Sequence, residues 1–165
     1  MDFMKKFFLM VMLTGISCLL SAQKKENDIW SGTYRVNEIK KGITTTTDTL
    51  VVTRIKDADP KEIPAKEKSD LARWSMTSKR DGGQDKITIK RFLFDVEDDR
   101  DAYKEFGWTK LHKDGKMNCM DGGHFFICQT QPNTVVTFGK NESYVTKTGI
   151  FGIWLHYGVV ELQKK

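Results

Sequence analysis

Residues 86 to 94 read KITIKRFLF, so Ile87, Ile89, Arg91 and Leu93 alternate with Thr88, Lys90, Phe92 and Phe94. A period of two is the pattern of a strand, whose successive side chains leave opposite faces of a sheet. Asp81-Gly82-Gly83 separates this run from RWSMTS (73–78), and 73–94 is predicted to be a hairpin. DIWSGTYRV (28–36) is rich in aromatic and β-branched residues, and TTTTDTLVVTRI (44–55) carries a density of threonine and valine that disfavours a helix. Further on, Asp114-Gly115 predicts another hairpin turn, Pro132-Asn133 predicts a break, and GIFGIWLHYGVVELQ (149–163) predicts the last strand. The expected fold is all-β, an antiparallel meander of about eight strands. Two stretches depart from it: DADPKEIPAKEKSDLARW (57–74) predicts a short helix after Pro64, and DVEDDRDAYKEF (95–106) a helical turn with an acidic start.

A meander of this kind must hide its strand edges, and closure into a cylinder hides them most completely. WSGTY (Trp30 to Tyr34) resembles the Gly-x-aromatic signature that opens lipocalin-like (calycin) barrels. That resemblance implies a closed or nearly closed barrel in which the first strand pairs with the last. Tyr34 stands where lipocalins usually have tryptophan, and the final strand offers no arginine to partner it.

The amino-terminal pattern changes the picture again. Lys5 and Lys6 precede an apolar run from Phe7 to Leu20, then Ser21 and Ala22. The run is short of the ~20 residues of a membrane span and matches a secretory signal peptide, residues 1–22. A single β-barrel-like domain, 23–165, would follow. Export to the periplasm or medium of a Gram-negative-type cell is expected, with acylation at Cys18 as the second route; "GISC" has Gly15 where a lipobox usually has leucine. The net charge of +5 is spread among acids and is not gathered in one tract, which argues against a nucleic-acid partner.

Removal of the signal peptide leaves two cysteines, Cys119 and Cys128, in MNCMDGGHFFIC (117–128). An oxidising compartment favours a bridge between them. Register opposes it: if Asp121-Gly122-Gly123 is a three-residue loop, Met120 faces His124 and Cys119 faces Phe125. Cys128 then lies on the other face, ~10 Å along the strand and beyond the ~7 Å that a disulfide can span. Bridged thiols in an irregular loop and free thiols in a tight hairpin both remain open. A zinc site from His112, Cys119, His124 and Cys128 lacks the short Cys-x-x-Cys spacing. A calcium loop from Asp95, Glu97, Asp99 and Asp101 has Arg100 at the turn-glycine position and Phe106 where the bidentate glutamate belongs. No metal or cofactor is therefore expected.

The chain has no Gly-x-Ser-x-Gly, phosphate-loop or zinc-protease motif, and no catalytic residue is assigned. The tryptophans Trp30, Trp74, Trp108 and Trp154 are each on or beside a predicted strand and read first as core. The leading expectation is a monomeric, non-enzymatic, lipocalin-like protein that binds an apolar small molecule, with Trp30, Tyr34, Trp154 and His156 as its lining. His156 shares a side of the last strand with Trp154 and Val160, though such a histidine is usually a core or rim residue. The alternative is a periplasmic protein-binding module, an inhibitor or immunity partner of a secreted enzyme, that uses loops 57–72 and 95–105.

Overall fold

The structure, a computed structural model, describes residues 28–40, 43–94, 102–138, 142–155 and 158–165. The signal peptide, Cys18, the acidic run 95–101 and His156 lie outside them. The described residues form ten strands: β1 (Gly32–Lys40), β2 (Ile43–Arg54), β3 (Trp74–Ser78), β4 (Lys86–Arg91), β5 (Asn118–Asp121), β6 (Phe125–Gln129), β7 (Thr134–Phe138), β8 (Glu142–Thr146), β9 (Ile150–Trp154) and β10 (Gly158–Lys164). Eight of these close into an antiparallel barrel in the order β1-β10-β9-β6-β5-β4-β3-β2, while β7 and β8 pair only with each other. With the β7–β8 hairpin set aside, each barrel strand lies beside the next in sequence. The expected meander and its closure are therefore present, with short helical segments in the connections: a 3-10 turn at Ala65–Glu67, directly after Pro64, α1 (Ala102–Glu105) and α2 (Thr109–Lys113).

Closure rests on four residue pairs, Tyr34↔Lys164 through Asn37↔Glu161. Lys164 faces Tyr34 across this seam. Its ammonium lies 5.6 Å from the centre of the Tyr34 ring and donates to the Ile29 carbonyl at 2.8 Å. Gly32 of WSGTY has φ 154°, a backbone conformation that L side chains rarely adopt, and the Lys164 stem lies against it. Tyr34 is wholly buried, and its hydroxyl donates to the Trp30 carbonyl. Segment 28–31 is thereby tied across one end of the barrel.

Alternation divides the apolar residues between two cores. Tyr34, Leu50, Trp74, Met76, Met120, Phe125, Ile127 and Leu162 point inward and pack on one another, so the axis of the barrel is filled with side chains. Phe126, Cys128, Phe151 and Ile153 point outward and are covered by Tyr103, Trp108, Met117 and the β7–β8 hairpin through Val136 and Phe138. Trp108 also donates its indole N–H to the Thr137 carbonyl at 2.9 Å. Strands β6 and β9 are thus apolar on both faces, as FFIC and IFGIW suggest.

Three local expectations are corrected. Asp114-Gly115 closes no hairpin: Gly115 N–H bonds His112 O and Lys116 N–H bonds Leu111 O, the paired bonds that end a helix at a left-handed residue, here Gly115 with φ 68°. The run 149–163 is two strands, because the chain reverses between Trp154 and Gly158, which pair with each other. The reasoning that a tight hairpin forbids the disulfide also fails. Cys119 pairs directly with Cys128, Met120 with Ile127 and Asp121 with Phe126. Gly122 N–H bonds Phe125 O, which leaves Gly123-His124 as a two-residue turn. The Asp121 carboxylate accepts Gly123 N–H at 2.7 Å, and Gly123 supplies the positive φ of 84° that such a turn needs at its first position. The register is displaced from the expected one, the Cα atoms stand 4.1 Å apart, and the cysteines are bridged within a tight hairpin.

The β7–β8 hairpin is clasped to the barrel by Glu161, a buried carboxylate on the outer face of β10. It accepts from Thr146 Oγ1 at 3.0 Å, from Thr148 N and Oγ1 at 2.6 Å each, and from the Tyr144 hydroxyl. Burial alone would raise its pKa, but these hydrogen bonds outweigh burial and hold the carboxyl below the usual glutamate range. The Tyr144 hydroxyl is pushed well up by its own burial and by Glu161.

Two outcomes follow from these contacts. The unreduced protein should be lighter than the reduced one by one pair of hydrogens, and Cys119→Ser with Cys128→Ser should lower unfolding free energy by about 2–3 kcal/mol in denaturant melts. A carboxyl with a depressed folded pKa contributes stability in full above its ordinary value of 4.5 and loses it as pH falls through the lower folded value. Glu161→Gln should accordingly cost on the order of 2 kcal/mol at neutral pH and flatten the acid side of the stability profile, measured by thermal melts across pH.

Candidate functional site

In an up-and-down barrel, alternate connections fall at opposite ends. The β1–β2, β3–β4, β5–β6 and β9–β10 turns share one end, and the long connections 55–73, 92–117 and 130–149 share the other. Arg54, Trp74, Arg91 and Asn118 are the last residue of β2, the first of β3, the last of β4 and the first of β5. All four therefore meet at the connection end, where segment 28–31 also crosses. Between them is a cleft of about 630 Å³, lined as well by Asp28, Ile29, Trp30, Phe92, Tyr103, His112 and Cys119.

Its floor is Trp74, itself almost entirely covered. The Arg54 guanidinium lies 4.8 Å and that of Arg91 5.4 Å from the centre of the Trp74 ring, distances at which a cation is attracted by the π-face. The indole N–H of Trp74 donates to Asp28 Oδ1 at 3.0 Å, and the same oxygen accepts Trp30 N–H and Ser31 N–H. Burial opposes the Asp28 charge, but the hydrogen bonds from Ser31, Trp74 and Trp30 outweigh it and keep this carboxyl below its usual range. Arg54 is braced by the carbonyls of Ile55 and Arg73 and by Asp57. Asp70 lies 3.6 Å from Arg91, and Glu67 holds Arg73 and Lys90. The charge-rich connection 57–72 is thus pinned to the barrel by ion pairs.

The far wall comes from the helical connection. The His112 ring stacks on Tyr103 with centroids 3.9 Å apart, and the Tyr103 hydroxyl accepts Cys119 N–H. His112 Nδ1 donates to the Met117 carbonyl at 2.9 Å, which leaves Nε2 as the ring's other polar atom.

The residues expected to line one pocket do not converge. Trp30 borders this cleft, and Tyr34 is sealed beneath Trp30 in the core, where burial pushes its hydroxyl pKa well up. Trp154 lies at the hairpin end, its ring 4.1 Å from that of Phe125, beside a second cleft of about 350 Å³ lined by Glu38, Ile39, Thr47, Asp48, Arg80, Trp154, Val159 and Val160. That second cleft opens where the β1–β10 ladder stops at Asn37↔Glu161 and a bulge at Val36 and Asn37 turns β1 aside. The zinc quartet is dispersed too: both thiols are in the disulfide, and His124 sits at the β5–β6 turn, at the opposite end from His112. Among the described residues no group of three or more histidines, cysteines, aspartates or glutamates is placed to hold a metal ion.

Arg54, Arg91, Asn118 and Asp28 were not singled out in the sequence. Their only signal is position, since each lies at or just before a strand terminus, and strand register had to be known before those termini could be brought together. No protein family, curated protein or solved structure matches the chain.

Proposed function

We propose that this is an exported, non-enzymatic, lipocalin-like protein that binds a small molecule, and that the ligand occupies the cleft at the connection end and not the barrel axis. The observation that carries this reading is the cleft itself. Its volume of about 630 Å³ lies within the ordinary range of ligand sites, and its wall joins apolar Ile29, Trp30 and Phe92 to a few placed polar groups. The filled barrel axis directs a ligand to this end. Membership among the calycin barrels is supported by the first-to-last strand closure and by Lys164 against Tyr34. Export is supported by the disulfide, a bond that persists in oxidising compartments.

A protein-binding module is the second reading, and one observation favours it. Val135 and Val145 are cross-strand partners on the outer face of the β7–β8 hairpin and are 56% and 49% exposed. In that case Val135→Asp with Val145→Asp should abolish co-purification of a partner from the native periplasm, and equal recovery with the wild-type bait would sink the idea.

For the ligand site, tryptophan emission of the mature, disulfide-bonded protein should change saturably, with one site per chain, on titration with fluorescent hydrophobes. Asn118→Trp, which fills the exposed wall of the cleft, should remove that binding, and Thr47→Trp in the hairpin-end cleft should leave it intact. Loss in Thr47→Trp alone would place the ligand at the wrong end, and the absence of saturable binding with every probe would overturn the reading.

A further inference from the structure

We propose that two copies of this chain pair edge to edge through residues 43–47 of β2, antiparallel, about a two-fold axis beside Thr45. The tip of the β1–β2 hairpin stands clear of the barrel. On one side the β1–β10 ladder stops at Asn37↔Glu161, and on the other β3 accompanies β2 only from Arg54↔Trp74 to Leu50↔Ser78. Lys79 N–H then takes the Thr49 carbonyl and Arg80 N–H takes Asp48 Oδ1, and the cover of β2 ends there. Past this point the β1–β2 register slips by one residue at Thr47, and Ile43 to Thr46 are exposed. Backbone direction follows from the pairing. Lys165 N–H bonds Thr33 O, so odd-numbered residues of β1 turn their backbone groups to β10 and even-numbered ones turn theirs to β2. Thr45 and Ile43, opposite Glu38 and Lys40, therefore bond β1, while Thr44 and Thr46 aim N–H and C=O outward. Among the described residues no strand pairs with that edge.

The composition of this edge selects a second copy as its occupant. In a chain of which 30% is charged, Ile43-Thr44-Thr45-Thr46-Thr47 has no charge and no proline, the two devices that most simply keep a free edge from pairing. Self-pairing requires that neutrality, because a charge at the two-fold axis would face itself. About an axis at Thr45, Thr44 of each copy meets Thr46 of the other, and both of their outward N–H and C=O groups are satisfied. Thr45 meets Thr45, and Ile43 meets Thr47, so every pair is threonine with threonine or threonine with isoleucine, and such cross-strand pairs are favourable. Ile43, at 69% the most exposed large apolar side chain among the described residues, gains cover from Thr47 and Thr45 of the second copy. Two strands this short bury far less than the ~1,600 Å² of an ordinary stable interface, so the dimer is a weak one that forms at high concentration.

Sedimentation equilibrium of the mature, disulfide-bonded protein tests this. Between about 10 μM and about 1 mM the mass should rise from monomer towards dimer and no further. Thr44→Pro removes an outward N–H and no bond to β1, a change that an edge strand accepts, and should weaken association about tenfold or more at an unchanged melting temperature. Thr45→Lys sets two ammoniums against each other at the axis and should weaken it likewise. Val135→Asp with Val145→Asp, on the β7–β8 hairpin, should leave association as it is in the wild type. A monomer throughout that range, growth beyond the dimer, or a dimer that survives Thr45→Lys overturns the proposal. Loss of the dimer in the Val135→Asp, Val145→Asp protein overturns it too, since the contact would then lie on the other hairpin. Should Thr44→Pro lower the melting temperature, Thr45→Lys decides by itself.

Discussion

Four residue pairs between β1 and β10 turn a twisted sheet into a cylinder, and most of the remaining architecture follows from that ladder. Once the ladder is formed, Tyr34 and Lys164 face each other at the end of the barrel and hold the carbonyls of Trp30 and Ile29. Those two bonds lay segment 28–31 across the opening. Asp28 then reaches the indole of Trp74, and the floor of the cleft is fixed. The same ladder brings Glu161 beneath the β8–β9 connection, where Thr146 and Thr148 bind it. Closure therefore positions both the candidate site and the clasp of the outer hairpin.

The second constraint is the amount of apolar surface that the barrel carries on its outside. Phe126, Phe151 and Ile153 would face water in a bare cylinder, and Phe92, residues 102–117 and the β7–β8 hairpin are folded over them. The aromatic contacts of Phe92, Phe106, Trp108 and Phe126 make this outer layer a core in its own right. A consequence is that the helical connection is held firmly enough to present His112 and Tyr103 as one wall of the cleft. Long connections, packed in this way, make the end of the barrel to which they belong the more elaborate one.

The sequence was a good guide wherever the determinant was local. Alternation in KITIKRFLF, the β-branched run before Arg54 and the position of Pro64 all led to the elements observed. It misled where one dipeptide serves two backbones: Asp114-Gly115 ends a helix by the same left-handed glycine that would have closed a hairpin. Asp121-Gly122-Gly123 raised a subtler difficulty, since either glycine can take the turn, and the choice of Gly123 shifts every downstream pairing and brings Cys119 opposite Cys128. The candidate site was least legible. Trp30 and Trp154, expected to line one pocket, sit at opposite ends of the barrel, and Arg54, Trp74, Arg91 and Asn118 meet only through the registers of β2 to β5.

The β1–β10 seam also has a kinetic meaning. The other barrel ladders join strands that are consecutive once the β7–β8 hairpin is excised, whereas this one joins residues 34–37 to residues 161–164. Its loop-closure entropy is the largest in the fold, and non-local pairings of this type are the slow ones. A chain that emerges amino terminus first has β1 in place long before its partner exists. Until Lys164 arrives, β1 is an open edge able to recruit a strand from another molecule. Residues 161–164 thus decide whether the sheet ends on itself or on a neighbour.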